Sequence, residues 1–142
     1  MMNSHLNAVD DTRQGRLPRE EHFFAGTHLI IDLSEASRLD ELDHVEQTMR
    51  RAVEAAGATL LHINLHHFTP NGGVTGVAIL AESHISIHSW PERDYAAIDI
   101  FMCGDAEPQL AIPVLKDAFR PGRITVTTLH RGIGIATAVA AE

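Results

Sequence analysis

Two stretches of this chain carry a helical period and six read as strands, and two helices can cover only one face of a sheet that wide. This imbalance restricts the fold more than composition does. It predicts an α+β two-layer sandwich: a mostly antiparallel sheet with two helices on one face. The other face must be solvated or buried by a partner subunit. Residues 39–57 form the first helix, with Leu42, Val45, Met49, Ala52, Val53 and Ala56 on one stripe and Gly57 suited to the cap. The strands are 27–33, 58–68, 77–82, 83–90, 95–102 and 123–130. In the second strand Leu61, Ile63 and Leu65 are expected to share a face. Residues 69–76 are dense in turn formers, and Pro91 separates two strands. A second helix runs from about 107 to 120, with Pro108 in its first turn and Pro113 expected to cost a hydrogen bond and kink it. The order is β, α, four β, α, β. A weak internal echo, Ile30-Ile31-Asp32-Leu33 and Ala97-Ile98-Asp99-Ile100, puts Asp32 and Asp99 in equivalent places.

The 142 residues make one domain, 26–142, behind a polar stretch, 1–25, read as a flexible tail. That stretch has no apolar signal region, so the cytoplasm is the default compartment. No apolar run approaches the ~18 residues of a membrane span. The net charge is −8 and there is no basic patch with interleaved aromatics, which argues against nucleic acid and for a small-molecule partner. Lys116 is the only lysine, in a predicted surface helix. This argues against pyridoxal-phosphate chemistry and against a P-loop. Cys103 is the only cysteine, so no internal disulfide forms.

The informative stretch is 81–105, AESHISIHSWPERDYAAIDIFMCGD. Glu82-Ser83-His84 puts a hydroxyl after a carboxylate residue at a strand junction. His88 follows, and Cys103 ends the next strand. The residues alone leave several readings open. Ser83, His84, Ser86 and His88 suit a half-exposed polar strand face. A Ser-His hydrolase lacks a GxSxG elbow and a third member. His84 with His88, or His62 with His66, could ligate a metal, but neither pair sits in a motif that fixes the geometry, and no metal is expected. A lone cysteine such as Cys103 is most often a small buried apolar residue.

The run from Glu82 to Glu92 (ESHISIHSWPE) resembles the processing and active-site signature of the bacterial and archaeal S-adenosylmethionine decarboxylase proenzymes, the short prokaryotic class. His66-His67-Phe68-Thr69-Pro70 and Gly73-Val74-Thr75-Gly76 upstream also match the family. So do Tyr95-Ala96-Ala97-Ile98-Asp99 and Phe101-Met102-Cys103-Gly104 downstream. The resemblance covers residues 26 to 132. It implies that Ser83 attacks the Glu82 carbonyl, forming an ester, and that the residue matching His88 removes the Ser83 α-proton. Elimination and loss of ammonia then leave a pyruvoyl group at residue 83. The chain becomes 1–82 and 83–142.

By the same resemblance, the pyruvoyl group forms a Schiff base with the substrate amine, which suits a lysine-poor decarboxylase. Cys103 matches the proton donor. Phe68 matches an aromatic that stacks on adenine, and Glu92 a carboxylate that accepts ribose hydroxyls. Thr75 stands where relatives often have serine, keeping a hydroxyl that could assist processing. The family further implies a homodimer with substrate held near both subunits. The expected activity is decarboxylation of S-adenosyl-L-methionine to an aminopropyl donor for spermidine synthesis. Two alternatives stand beside it: a pyruvoyl-dependent arginine or ornithine decarboxylase, and a regulatory homologue that never cleaves. Retention of Ser83, His88 and Cys103 together argues against the second. Ser83 and His88 have opposite parity in a flat strand, so a bulge or bent start is expected to bring them together.

Overall fold

The computed structural model describes residues 23–135, and both 1–22, most of the expected tail, and 136–142 lie outside them. The elements follow the expected order: β1 (Gly26–Ser34), α1 (Leu42–Ala56), β2 (Leu60–His67), β3 (Val74–Leu80), β4 (Ser83–Trp90), β5 (Tyr95–Cys103), α2 (Ala111–Phe119) and β6 (Arg123–Arg131). Every strand pairing is antiparallel, in the order β2-β3-β4-β5-β1-β6. The two helices pack together over one face. Strand alternation divides the sheet cleanly. Leu29, Ile31 and Leu33 of β1 and Ala96, Ile98, Ile100 and Met102 of β5 are buried beneath the helices, with Val45, Met49 and Phe119 above them. Each such large side chain contributes roughly 1.5–3 kcal/mol on burial.

Three local departures from the sequence reading have physical causes. First, α1 starts at Leu42, not at 39, because Arg38 is left-handed (φ 61°) and Glu41 is extended. The approach to the helix is held instead by Ser89, whose Oγ donates to the Leu39 carbonyl at 2.9 Å. Second, the register shifts between Leu60 and His62. This bulge turns Leu61 outward (63% exposed) and sends Leu60 inward with Ile63 and Leu65. Third, Pro113 falls in the first turn of α2, after a 3-10 turn at Pro108–Leu110. The turn absorbs the missing donor where a helix start has free N–H groups anyway. Residues 23–25, read from the sequence as tail, run beside the end of β6. Ala25 N–H donates to Arg131 O at 2.7 Å, and Phe24 stacks on His130 at 4.1 Å.

The internal echo becomes a local two-fold. Ile31 pairs with Ile98, Ile30 with Asp99 and Asp32 with Ala97, so both aspartates rise from equivalent places on the open face. Asp32 accepts the Tyr95 hydroxyl at 2.5 Å. That bond, then burial, then the Asp32 charge push the Tyr95 phenol up to about 12 from its ordinary 10.0. A raised phenol adds stability that is complete below the unfolded value near 10 and lost as pH climbs through about 12. Tyr95 is the only tyrosine, so an ultraviolet titration reads it directly. Ionisation should centre near 12 in the native protein and return toward 10 in Asp32→Asn; a midpoint near 10 without unfolding would deny the bond.

Candidate active site

The candidate residues fall in two groups at opposite ends of β4, most of them on the helix-free face; Ser83 is the exception, keeping the parity of buried Ile85 and Ile87 at the start of the strand. The first group is at the β3–β4 hairpin. Leu80 pairs with Ser83, leaving Ala81-Glu82 as a two-residue loop. Glu82 is left-handed, φ 61°. A non-glycine residue held there costs of order 1–3 kcal/mol, and the strain sits on the acyl side of the Glu82–Ser83 peptide. Cys103, the last residue of β5, addresses both atoms of that junction. Its N–H donates to Ser83 Oγ at 3.1 Å and its Sγ–H to the Glu82 carbonyl oxygen at 3.1 Å. Beside Cys103, a recess of about 160 Å³ is walled by Phe23, Phe24 and Met102.

The second group gathers where β2 and β4 end and β3 begins. Thr75 and His88 are directly paired across β3 and β4, with Thr75 Oγ1 3.2 Å from His88 Nδ1. They line a recess of about 270 Å³ with Phe68, Trp90 and Glu92, so four sequence-selected residues meet there. Glu92 is exposed on the 3-10 turn Pro91–Arg93. Phe68 packs edge-on against His66, ring centres 4.4 Å apart. The floor is set by two contacts. The Val74 N–H donates to Ser89 Oγ at 2.9 Å, and a Cβ on Gly73 would stand 2.8 Å from the Ser89 carbonyl. Only glycine fits there, which accounts for Gly73.

The two groups do not meet within one chain. Ser83 pairs with Leu80 and His88 with Thr75, and no register shift interrupts β4 against either neighbour. Five residues at about 3.3 Å each separate Ser83 from His88 by roughly 16 Å. The bulge or bend expected between them is absent. Sequence reasoning also missed Asn71 and Trp90 in the larger recess and Phe23 and Phe24 in the smaller. Trp90 was legible as the exposed aromatic of an otherwise alternating strand; the Phe pair lay in the presumed tail.

Between the groups, Asp99 accepts hydrogen bonds from Ser86 on Oδ1 and from His28 (2.6 Å) and His84 (3.2 Å) on Oδ2. Burial pushes the Asp99 carboxyl up, but these bonds outweigh it and hold it below the ordinary carboxylate value. The spacing signal that singled out His84 with His88 gave the wrong partner. Alternation puts both on one face, but β5 lies alongside β4 and supplies Asp99 instead.

Comparison with known proteins agrees in sequence and in fold. The family model described as S-adenosylmethionine decarboxylase matches residues 27–132. An S-adenosylmethionine decarboxylase proenzyme from Thermomicrobium roseum is 47% identical over 109 residues, 76% of this chain and 94% of that protein. One from Methanococcus vannielii is 47% identical over 111 residues, 76% of this chain and 90% of its own length. The crystal structure of the adenosylmethionine decarboxylase from Aquifex aeolicus superposes with a TM-score of 0.72 at 33% identity, covering 78% of this chain and 92% of that one.

The Asp99 network has a pH signature. A depressed carboxyl contributes stability above its unfolded value, 3.8, which is lost as pH falls through the lower folded value. The melting temperature of Asp99→Asn should therefore lie below that of the native chain at neutral pH, and the gap should close below about pH 4. A gap that persists at pH 2 would assign the loss to packing.

Proposed function

The chain belongs to the S-adenosylmethionine decarboxylase family, and from that premise we propose that it is made as a proenzyme, cuts itself between Glu82 and Ser83, and then releases CO2 from S-adenosyl-L-methionine. The product would be S-adenosylmethioninamine, an aminopropyl donor for spermidine synthesis. The observation that carries this reading is the convergence on one peptide bond: left-handed Glu82 on its acyl side, and Cys103 with a donor on each reacting oxygen.

Ser83 Oγ attacks the Glu82 carbonyl carbon. The C–N bond breaks as the C–O bond forms, and the hydroxyl proton passes to the freed nitrogen. An ester is uphill from an amide, and the strain at Glu82 offsets part of that. The Cys103 thiol holds the carbonyl oxygen as negative charge builds on it. A base then takes the Ser83 α-proton and the Glu82 carboxylate leaves. The dehydroalanine takes up water and loses ammonia, giving a pyruvoyl group at residue 83 and chains 1–82 and 83–142. The pyruvoyl carbonyl supplies the electron sink that decarboxylation needs. Cys103, left beside it, is within reach to return a proton to the substrate α-carbon.

The base is His88, steadied by Thr75, and the roughly 16 Å separation means that it comes from a second copy. A two-fold axis lying between two open sheet faces, crossing β4 near Ser86, sets the end of β4 that holds the Glu82–Ser83 peptide level with the end that holds His88 of the partner subunit. Ile79 and Trp90, 46% and 39% exposed on that face, would then be covered. The same pairing sets the Phe68–Glu92 recess across from Cys103. An aromatic pair, Phe68 and Trp90, with Glu92 and Asn71 at the rim suits a nucleoside. Arginine or ornithine has neither a ring to stack nor vicinal hydroxyls. At about 270 Å³ the recess is small for such a ligand, as half of a shared site would be.

Ser83→Ala and His88→Ala should each stay full-length on their own. Co-expressed, they should form mixed dimers with one complete junction, in which only the His88→Ala chain is cut. Mass spectrometry would read the 1–82 fragment and its pyruvoyl-led partner. Absence of cutting in proven mixed dimers would return the base to the same chain, and an uncut native protein would favour the regulatory homologue. Cys103→Ala should cut about 10²–10³-fold more slowly, the usual cost of one oxyanion donor. Unchanged cutting would release the thiol from that step.

A further inference from the structure

The cluster around Asp99 belongs to neither group of the proposed chemistry. His28 on β1 and His84 on β4 both pair with Phe101, from opposite sides, so their rings flank it and lean toward Asp99, two residues back on the same face. One oxygen, Asp99 Oδ2, stands 2.6 Å from His28 Nε2 and 3.2 Å from His84 Nε2. The ligand atoms of the three side chains all lie within 4.8 Å of one another. They come from three adjacent strands of one sheet, with no loop involved.

We propose that His28, His84 and Asp99 form a binding site for a first-row transition dication such as Zn2+ or Co2+, with water in the fourth position. Two imidazole nitrogens and one carboxylate oxygen are ligands that Zn2+ takes, at about 2.0–2.2 Å in a tetrahedron. Ligand atoms at that distance are roughly 3.3 Å from each other. The two nitrogen–oxygen separations are already near it, so the side chains need little movement. Ser86, donating to Asp99 Oδ1, holds the carboxylate with Oδ2 free to ligate, as outer partners of metal sites do. Hard cations such as Mg2+ prefer all-oxygen sets and should be excluded.

One neighbour opposes the ion. Arg131 Nη1 is 3.2 Å from His28 Nδ1. A guanidinium only donates, so Nδ1 accepts and the ring proton is on Nε2, pointing at Asp99. A metal on Nε2 requires that proton to move to Nδ1, and the Arg131 contact is then lost. Arg131 is exposed at the end of β6 and can turn into water. It therefore competes with the ion and sets its affinity. The ligands also divide across the proposed cut, His28 in 1–82 and both others in 83–142. A bound ion would thus tie the two chains together; that consequence rests on the proposed cleavage, but the site does not.

Titration of the full-length protein with Co2+ should give the visible absorption of a tetrahedral ion at one equivalent per chain. Calorimetry with Zn2+ should agree, and Mg2+ should not displace it. His28→Gln, His84→Gln and Asp99→Asn should each weaken binding roughly tenfold or more, whereas His62→Gln and His66→Gln should not. Arg131→Gln should tighten it, by up to about tenfold, since its amide oxygen can accept the relocated proton. No tetrahedral spectrum, or one that survives Asp99→Asn, would overturn the site. Weaker binding in Arg131→Gln would overturn the competition. These last readouts use folded protein even if a histidine variant fails to fold. Uncut Ser83→Ala should bind the ion as the native chain does, and a native protein that binds without being cut would refute the cleavage and leave the site intact.

Discussion

Among the described residues, a sheet of six strands under two helices leaves one face without cover, and the placement of the polar side chains follows from that single shortage. Alternation along each strand sends aliphatic side chains to the helices and the remainder to the open side. On β5 the inward set is Ala96, Ile98, Ile100 and Met102, and the outward set runs Tyr95, Ala97, Asp99, Phe101, Cys103. Every outward polar group must find a partner or meet water. Tyr95 finds Asp32, and Asp99 finds Ser86, His28 and His84.

The strained junction is the second consequence. The β3–β4 hairpin allows only two loop residues, and antiparallel strands with right-handed twist prefer turns with positive φ at the first. Here the positive φ falls instead on the second loop residue, Glu82, which is ill-suited to it. Cys103 reaches this bond because β5 is one residue longer than β4 and ends level with the hairpin. The left-handed Glu82 and the Cys103 contacts to Ser83 Oγ and the Glu82 carbonyl are thus produced by strand lengths and register, with no dedicated loop. The remaining groups, Thr75 and His88, are held at the far end of the same strand by the same register. A rigid sheet cannot fold its two ends together, so the two groups stay apart within one chain.

Much of this was legible in the order of residues. Period 3.6 marks α1 through Val45, Met49, Ala52, Val53 and Ala56, and all five are buried. Gly57 caps it at φ 76°. Alternation marks β1, β4 and β5 to within a residue. The selected residues fall into two groups, Ser83 with Cys103, and Thr75, His88, Phe68 and Glu92 around one recess, rather than one. These signals are local, and local sterics and burial transmit them faithfully.

What the sequence could not settle depends on which strands become neighbours and in what register. The bulge at Leu61 arises because β2 must fit β3, a two-strand property invisible in either strand alone. His84 reads as a partner of His88 along the chain, yet β5 supplies Asp99, and β1 supplies that carboxylate's other partner, His28, 71 residues from Asp99. Ser83 and His88 are close in sequence and far apart in space, because a strand is the most extended form of a chain. The sequence by itself determined the elements, the buried stripe and the reactive residue types, all of which rest on short-range geometry. Only the tertiary structure decided which of those residues meet, because that follows from sheet order and register, which are properties of the assembled strands.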